Sequence, residues 1–167
     1  FTGKRVMGYA ESHDEERLMY KNLTYGQSSH PSHNVKNLNV ALSRMSAVGA
    51  VSLLVPGPKM IWQFGDLGWE KSIWTCTNGT VNTDNDATNG DCKLATKPQP
   101  QWTNNWLGDD HRNIIYNDWA KMIELKTTEP IFNVNITSNS GFDIQSGNTF
   151  TPKLFLWDNN MTSAQLK

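Results

Sequence analysis

The sequence predicts an α/β fold: two β/α units of the kind that close a (β/α)8 TIM barrel, followed by the start of an antiparallel β domain. Three observations predict it. Two short apolar runs, residues 4–10 (KRVMGYA) and 59–64 (KMIWQF), each end at polar residues and read as strands buried on both faces. A helix-period segment follows each of them. After Pro130 the spacing of apolar residues changes to alternation, the signature of strands with one face buried.

Taken in order, the first strand runs into a charged stretch at residues 11–17 (ESHDEER) and then a polar loop containing Gly26, Pro31 and SSHPSH. Over 35–54, Leu38, Ala41, Leu42, Met45, Gly49, Ser52 and Leu53 fall on one helix face. Asn34 or Asn37 suits the N-cap, and Pro56-Gly57-Pro58 ends the helix. The second strand leads to Gly65-Asp66-Leu67-Gly68-Trp69-Glu70 and a long loop, 65–109 in all. A second helix over 110–126 places Ile115, Trp119, Met122, Ile123 and Lys126 on one side, and Glu129-Pro130 breaks its register. Residues 1–129 therefore read as partial barrel and 130–167 as the beginning of the β domain. In that domain Phe132, Val134 and Ile136 alternate with polar residues, then Phe142 and Ile144, then 153–157, a meander of three strands with a turn at Ser146-Gly147-Asn148. Two units cannot close a barrel, which takes eight. The start at Phe1-Thr2-Gly3 and the stop at Leu166-Lys167 accordingly read as cuts from a longer chain.

Composition narrows the function classes. With 37% hydrophobic and 19% charged residues, the chain is neither disordered nor membrane-embedded. A net charge of −1 without any basic cluster argues against nucleic acid and anionic membranes as partners. Cys76 and Cys92 bracket a run rich in Asn, Asp, Thr and Gly that cannot pack itself. A disulfide there would restrict the unfolded chain and contribute about 3 kcal/mol, and it would place the protein outside the cytosol. Two free thiols in a cytosolic protein are the other reading of the same pair.

The residues that could carry chemistry lie where the strands end, the face on which parallel barrels hold their functional groups. His13 and Asp14 stand side by side there. Cleavage of a glycosidic bond develops positive charge on the sugar ring; a carboxylate stabilises it, and a neighbouring His can bind a sugar hydroxyl. The plainer alternative is a solvated charged loop capping a strand. Asp66 occupies the equivalent place after the second strand, and Trp69 beside it is either a stacking face for sugar or a packing residue. His30 and His33 lack the supporting pattern of a metal site, and no metal ligand set or cofactor is identified.

VMGYAESHDEER at 6–17 resembles the His-Asp motif at the seventh barrel strand of glycoside hydrolase family 13, the α-amylase family. PGPKMIWQFGD at 56–66 resembles that family's eighth strand, with Asp66 where the family usually has Glu. The run from Lys97-Pro98 to Trp102, the helix after it and the β meander follow the family's order, so the resemblance implies the C-terminal quarter of the barrel, strands seven and eight. SHDEERLMYKN and the cysteine-bearing loop resemble the secreted α-amylases of Bacteroidetes type, and the SHDE wording is shared with branching enzymes. The resemblance implies a retaining hydrolase of α-1,4-glucans, with glucan transfer or a non-catalytic glycan-binding module as alternatives. It assigns Asp14 as transition-state stabiliser, His13 as a sugar ligand, and Asp66 as at most a residue lining the cleft or standing behind it; Trp69 stays a candidate sugar contact from its place beside the acids. Calcium is open for the intact enzyme. The family's nucleophile and acid/base belong to the fourth and fifth strands, so the chain alone is expected to be inactive and to need the earlier part of the barrel, or self-association, as partner.

Overall fold

A computed structural model describes residues 6–82, 92–95, 101–145 and 153–162. The expectations on residues 1–5, on most of the loop between the cysteines, on Lys97-Pro98, on the Ser146-Gly147-Asn148 turn and on Leu166-Lys167 lie outside the described residues. The elements are helices α1 (Leu18–Tyr25), α2 (Leu38–Ser43), α3 (Met45–Leu54), α4 (Gln101–Asn104) and α5 (Asp110–Thr128), then strands β1 (Ser140–Gln145) and β2 (Lys153–Asp158). Among the described residues the fold is mixed α/β with one two-stranded antiparallel sheet.

The expected barrel strands are the main departure. Among the described residues, one parallel bridge between Gly8 and Lys59 stands in place of two strands. Gly8 N donates to Pro58 O at 2.9 Å and Met60 N to Gly8 O at 3.0 Å. Parallel strands are stable inside sheets whose neighbours and faces are covered. Here Val6, Met7 and Tyr9 remain 43%, 51% and 44% exposed. The parallel direction expected of adjacent strands is present, but the strand length is not, and one bridge does not make a barrel.

The chain divides into two compact units, one of Phe1–Tyr9, Ala47–Met60 and Asp118–Lys167, the other of Ala10–Ser46 and Ile61–Asn117. This division differs from the sequence-based boundary at 129/130. In the first unit Gly49 lies so close to Trp119 that an added Cβ would stand 2.4 Å from its Nε1. The side chain of Lys126, 9% exposed, donates to Val55 O and Phe132 O, each at 3.0 Å. Asn133 Nδ2 returns a bond to Lys126 O at 2.8 Å. These bonds explain why the alternating residues 132–136 form no strand. Pro130–Asn133 is a 3-10 turn opened by its proline, and the Phe132 carbonyl that a ladder would need is already occupied by Lys126. The expected three-stranded meander is therefore a hairpin, β1 paired with β2 from Ser140↔Asp158 to Gln145↔Lys153.

In the second unit the core gathers Met19 of α1, Ala41 and Leu42 of α2, Met45, Leu67, Trp69 and Ile115. Gly68, at φ +64°, sits where a Cβ would meet Leu42, Ile115 and Met19. The helix expected over 35–54 forms as α2 and α3, separated by Arg44. Asn37 is the N-cap, its side chain accepting from Asn39 N and Val40 N. Helix α1 was not legible as a helix. Its N-cap, Arg17, makes no side-chain capping bond, and the N–H of Leu18 instead donates to Glu11 Oε2 at 2.9 Å, seven residues upstream.

Candidate functional site

The charged stretch 11–17 belongs to the second unit and is built around a buried ion pair. Arg17 is 1% exposed and Glu11 5%. The Arg17 guanidinium donates to Glu11 Oε1 at 3.1 Å and to Gln63 O at 2.9 Å. It lies 4.0 Å from the Trp62 ring centre and 4.2 Å from that of Trp69. Burial pushes the Glu11 carboxyl above its ordinary value, offset in part by the Leu18 amide and Arg17, and burial also lowers the Arg17 guanidinium. Desolvation outweighs attraction for both partners, so this pair fixes the loop's position more than it stabilises the fold.

Each of the other acids in the stretch has a different environment. Glu16 Oε1 accepts from Arg17 N at 2.8 Å and from Ile73 N at 3.0 Å, and Glu16 Oε2 accepts from Ser72 Oγ. Ser12, itself buried, donates its hydroxyl to Glu15 and accepts from Asp14 N at 3.1 Å, a local turn that sets the backbone at Asp14. Asp14 is left facing outward, its side chain 63% exposed. Its Oδ2 lies 3.3 Å from His13 Nε2, and its Oδ1 accepts from Lys93 Nζ at 2.9 Å. The Lys93 hydrogen bond holds the Asp14 carboxyl below its ordinary value, against an opposing desolvation and with help from the charges of His13 and Lys93.

His13 and Asp14, adjacent in sequence, are thus joined in space, while Asp66 and Trp69 stand differently. Asp66 lies in the 3-10 turn Gly65–Leu67, where burial raises its carboxyl and its own backbone amide partly offsets that. Trp69 is open in sequence between a sugar-stacking face and a packing residue, and its burial favours packing. It is 5% exposed, with Arg17 over its ring and Phe64 and Trp106 at centroid distances of 6.1 and 6.3 Å. A ring so covered has no face for a sugar; it is the lining on which Arg17 rests. From α5, Arg112 donates to Leu67 O at 2.8 Å, Gly68 O at 2.7 Å and Glu70 Oε2 at 2.8 Å, which fixes the same turn from behind.

Cys76 and Cys92 are bonded, with Cα atoms 4.9 Å apart. The bridge brings Lys93, the next residue, to the site. Sequence reasoning missed Lys93, Arg17 and Glu16 as parts of the site: their partners lie 79, 46 and 57 residues away in the chain, at Asp14, Gln63 and Ile73. The only signal was that Lys93 directly follows a cysteine expected to be tied down.

His30 Nδ1 lies 3.1 Å from Ser32 Oγ, and His33 Nε2 lies 3.1 Å from an Arg44 nitrogen. Among the described residues no group of three or more His, Cys, Asp or Glu is arranged to hold a metal ion, and no helix is long and apolar enough to cross a membrane. No family model and no curated protein matches the chain.

Proposed function

We propose that the protein contributes the third carboxylate, Asp14, to an α-amylase-type retaining glycosidase acting on α-1,4-glucans. The observation that carries this reading is the division of labour within residues 11–16. Glu11 and Glu16 are taken up inside the second unit; of the two exposed acids, Glu15 accepts from the neighbouring Ser12, whereas Asp14 has a cationic or imidazole partner at each oxygen. A carboxylate can accept about four hydrogen bonds, so two positions remain for sugar hydroxyls. In cleavage, the negative charge of Asp14 would stabilise the oxocarbenium-like ring, while His13 binds the same sugar. Asp66 lines the cleft; Trp69, being buried, is left out of the contact set.

A retaining mechanism also needs a nucleophile and a proton donor about 5 Å apart. The engaged acids of residues 11–16 supply neither, so the isolated chain binds glucan without hydrolysing it, and the nucleophile and donor come from other strands of the intact enzyme. The Cys76–Cys92 bridge supports an extracytoplasmic location.

Calorimetric titration of the chain with maltoheptaose, and with a β-1,4-linked glucan of equal length as control, tests the reading. Saturable binding of the α-linked sugar alone, lost in Asp14→Asn, is expected, with no reducing sugar released. Absence of binding, or equal binding of both glucans, overturns it. Release of reducing sugar that disappears in Asp14→Asn would overturn the claim that the chain alone is inactive.

A further inference from the structure

We infer that Lys93 is a positioning residue for Asp14, and that the Cys76–Cys92 disulfide holds it in place. The inference rests on the reading of Asp14 just proposed and deepens it by naming what orients that carboxylate.

A lysine on an exposed loop has four rotatable side-chain bonds and ordinarily spends little time on one partner, which is why surface ion pairs contribute little. Lys93 differs because the backbone on both sides of it is tied. On one side Cys92 is bonded to Cys76. On the other, Leu94 N donates to Ile73 O at 2.7 Å, and Leu94 itself adopts a left-handed conformation at φ 59°, a geometry that a non-glycine residue keeps only where its surroundings impose it. Ala95 N closes the turn on Cys92 O at 3.0 Å. The Lys93 ammonium also stands 5.7 Å from the centre of the Trp74 ring, whose backbone lies between Ile73 and Cys76.

The segment that receives these ties is in turn fixed to the loop that carries Asp14. Ile73 N and Ser72 Oγ both donate to the Glu16 carboxylate, and Ser72 Oγ accepts from Trp74 N at 3.0 Å. Glu16 lies two residues after Asp14, and Asp14 N is held by Ser12 Oγ. The connections close a ring: Asp14 to Glu16 along the chain, Glu16 to Ser72 and Ile73 by hydrogen bonds, Ile73 and Cys76 to Leu94 and Cys92 by a hydrogen bond and the disulfide, and Lys93 back to Asp14 at 2.9 Å. Within such a ring the ammonium is presented to one carboxylate oxygen, and the other is left to His13 and to ligand. The consequence is a carboxylate that stays ionised in acid and keeps one orientation.

The test is the titration of Asp14 in the full chain, followed by carbon-detected NMR of its side-chain carboxyl. In the native chain the midpoint lies below the ordinary aspartate value of about 3.9. Lys93→Gln is expected to raise it toward that value, and Lys93→Arg, which keeps a cation, to keep it low. Cys76→Ser together with Cys92→Ser is expected to raise it as Lys93→Gln does, though Lys93 is still present. An unchanged midpoint in Lys93→Gln overturns the inference. A midpoint that moves in Lys93→Gln but stays low in a folded double-serine variant overturns the part given to the disulfide; should that variant fail to fold, titration of the native chain after mild reduction of its disulfide decides the same point, a low midpoint overturning that part. Maltoheptaose binding by the same variants is read in parallel. If the native chain binds no glucan, the functional reading fails while the titration still decides the coupling; if glucan binding depends on Asp14 but the midpoint ignores Lys93, the inference fails and the reading stands.

Discussion

Replacing Arg17 by Met removes the centre of the loop's anchor while keeping a side chain of similar length. Met retains much of the contact with Trp62 and Trp69, since a thioether packs well against aromatic rings, but it cannot donate to Glu11 Oε1 or Gln63 O. The loss is then dominated by Glu11, a carboxylate 5% exposed that keeps the Leu18 amide and loses its cation. Removing one partner of a buried pair costs about 3–5 kcal/mol, and we expect Arg17→Met to lie in that range. Adding Glu11→Gln removes the uncompensated charge while its amide oxygen still accepts from Leu18 N. The double variant is therefore expected to be more stable than Arg17→Met alone, by about 1–2 kcal/mol. Urea unfolding of the native chain, the two single variants and the double variant measures both quantities. An Arg17→Met chain within about 1 kcal/mol of the native protein, or a double variant less stable than Arg17→Met, refutes the reasoning.

The pH dependence gives the same prediction a second handle. Burial raises the folded-state Glu11 carboxyl above its unfolded value, so the folded protein binds the extra proton in the window between the two. The stability this proton confers is complete below the unfolded value of about 4.3 and is lost as pH rises through the raised folded value. Without Arg17 the folded value rises further and the window widens. The deficit of Arg17→Met is accordingly expected to shrink as pH is lowered from neutrality toward the glutamate range, provided the rest of the protein stays folded.

Three further predictions follow from single contacts. Gly49→Ala puts a methyl group 2.4 Å from the Trp119 indole nitrogen and should cost about 1–3 kcal/mol in thermal unfolding, with near-ultraviolet circular dichroism reporting displacement of a tryptophan. Asn37→Ala removes the cap that accepts from Asn39 N and Val40 N and should cost about 1 kcal/mol by the same measurement. Asp66→Asn removes a carboxyl that burial raises; the native chain loses that group's contribution as pH rises through its raised value, so the variant should show a flatter fall in unfolding midpoint across that window.

What the sequence disclosed follows from the range of the interactions involved. Of the helix face expected, Ala41, Leu42, Met45, Gly49 and Leu53 are buried, Ser52 is half-buried and Leu38, at the first position of α2, is exposed; periodicity records which side of a helix meets the core but not where that contact begins. The Asn37 cap and the stop at Pro56-Gly57-Pro58 are local chemistry and were equally legible. Helix α1 was not, because its first amide is satisfied by Glu11 through a turn that no short window contains. The alternation at 132–136 pointed to a strand, yet Lys126 and Pro130 commit those residues to a 3-10 turn. In the candidate site, His13 and Asp14 were visible as neighbours, and the pairing of Cys76 with Cys92 was anticipated from the composition of the loop between them. Trp69 was ambiguous by its nature: a tryptophan beside acids has the same neighbours in sequence whether it faces sugar or, as here, a buried guanidinium.

Both cations of the site favour the ionised form of the carboxylate they meet, but burial decides the net result at Glu11 and the hydrogen bond decides it at Asp14. Arg17 is buried with Glu11, where desolvation dominates both groups and the pair serves as a fixed post under the loop. Lys93 meets Asp14 at the surface, where its hydrogen bond outweighs desolvation and lowers the carboxyl. On the function proposed for it, Asp14 has to be ionised, exposed and held still. Exposure alone would leave it mobile, and burial alone would neutralise it. Mounting the loop on a buried pair and reaching the outward acid from a disulfide-tied lysine meets all three requirements with residues scattered from Glu11 to Lys93. The same logic ranks the variants: Arg17→Met should impair both folding and the presentation of Asp14, whereas Lys93→Gln should leave the unfolding midpoint nearly unchanged and alter the titration and orientation of Asp14.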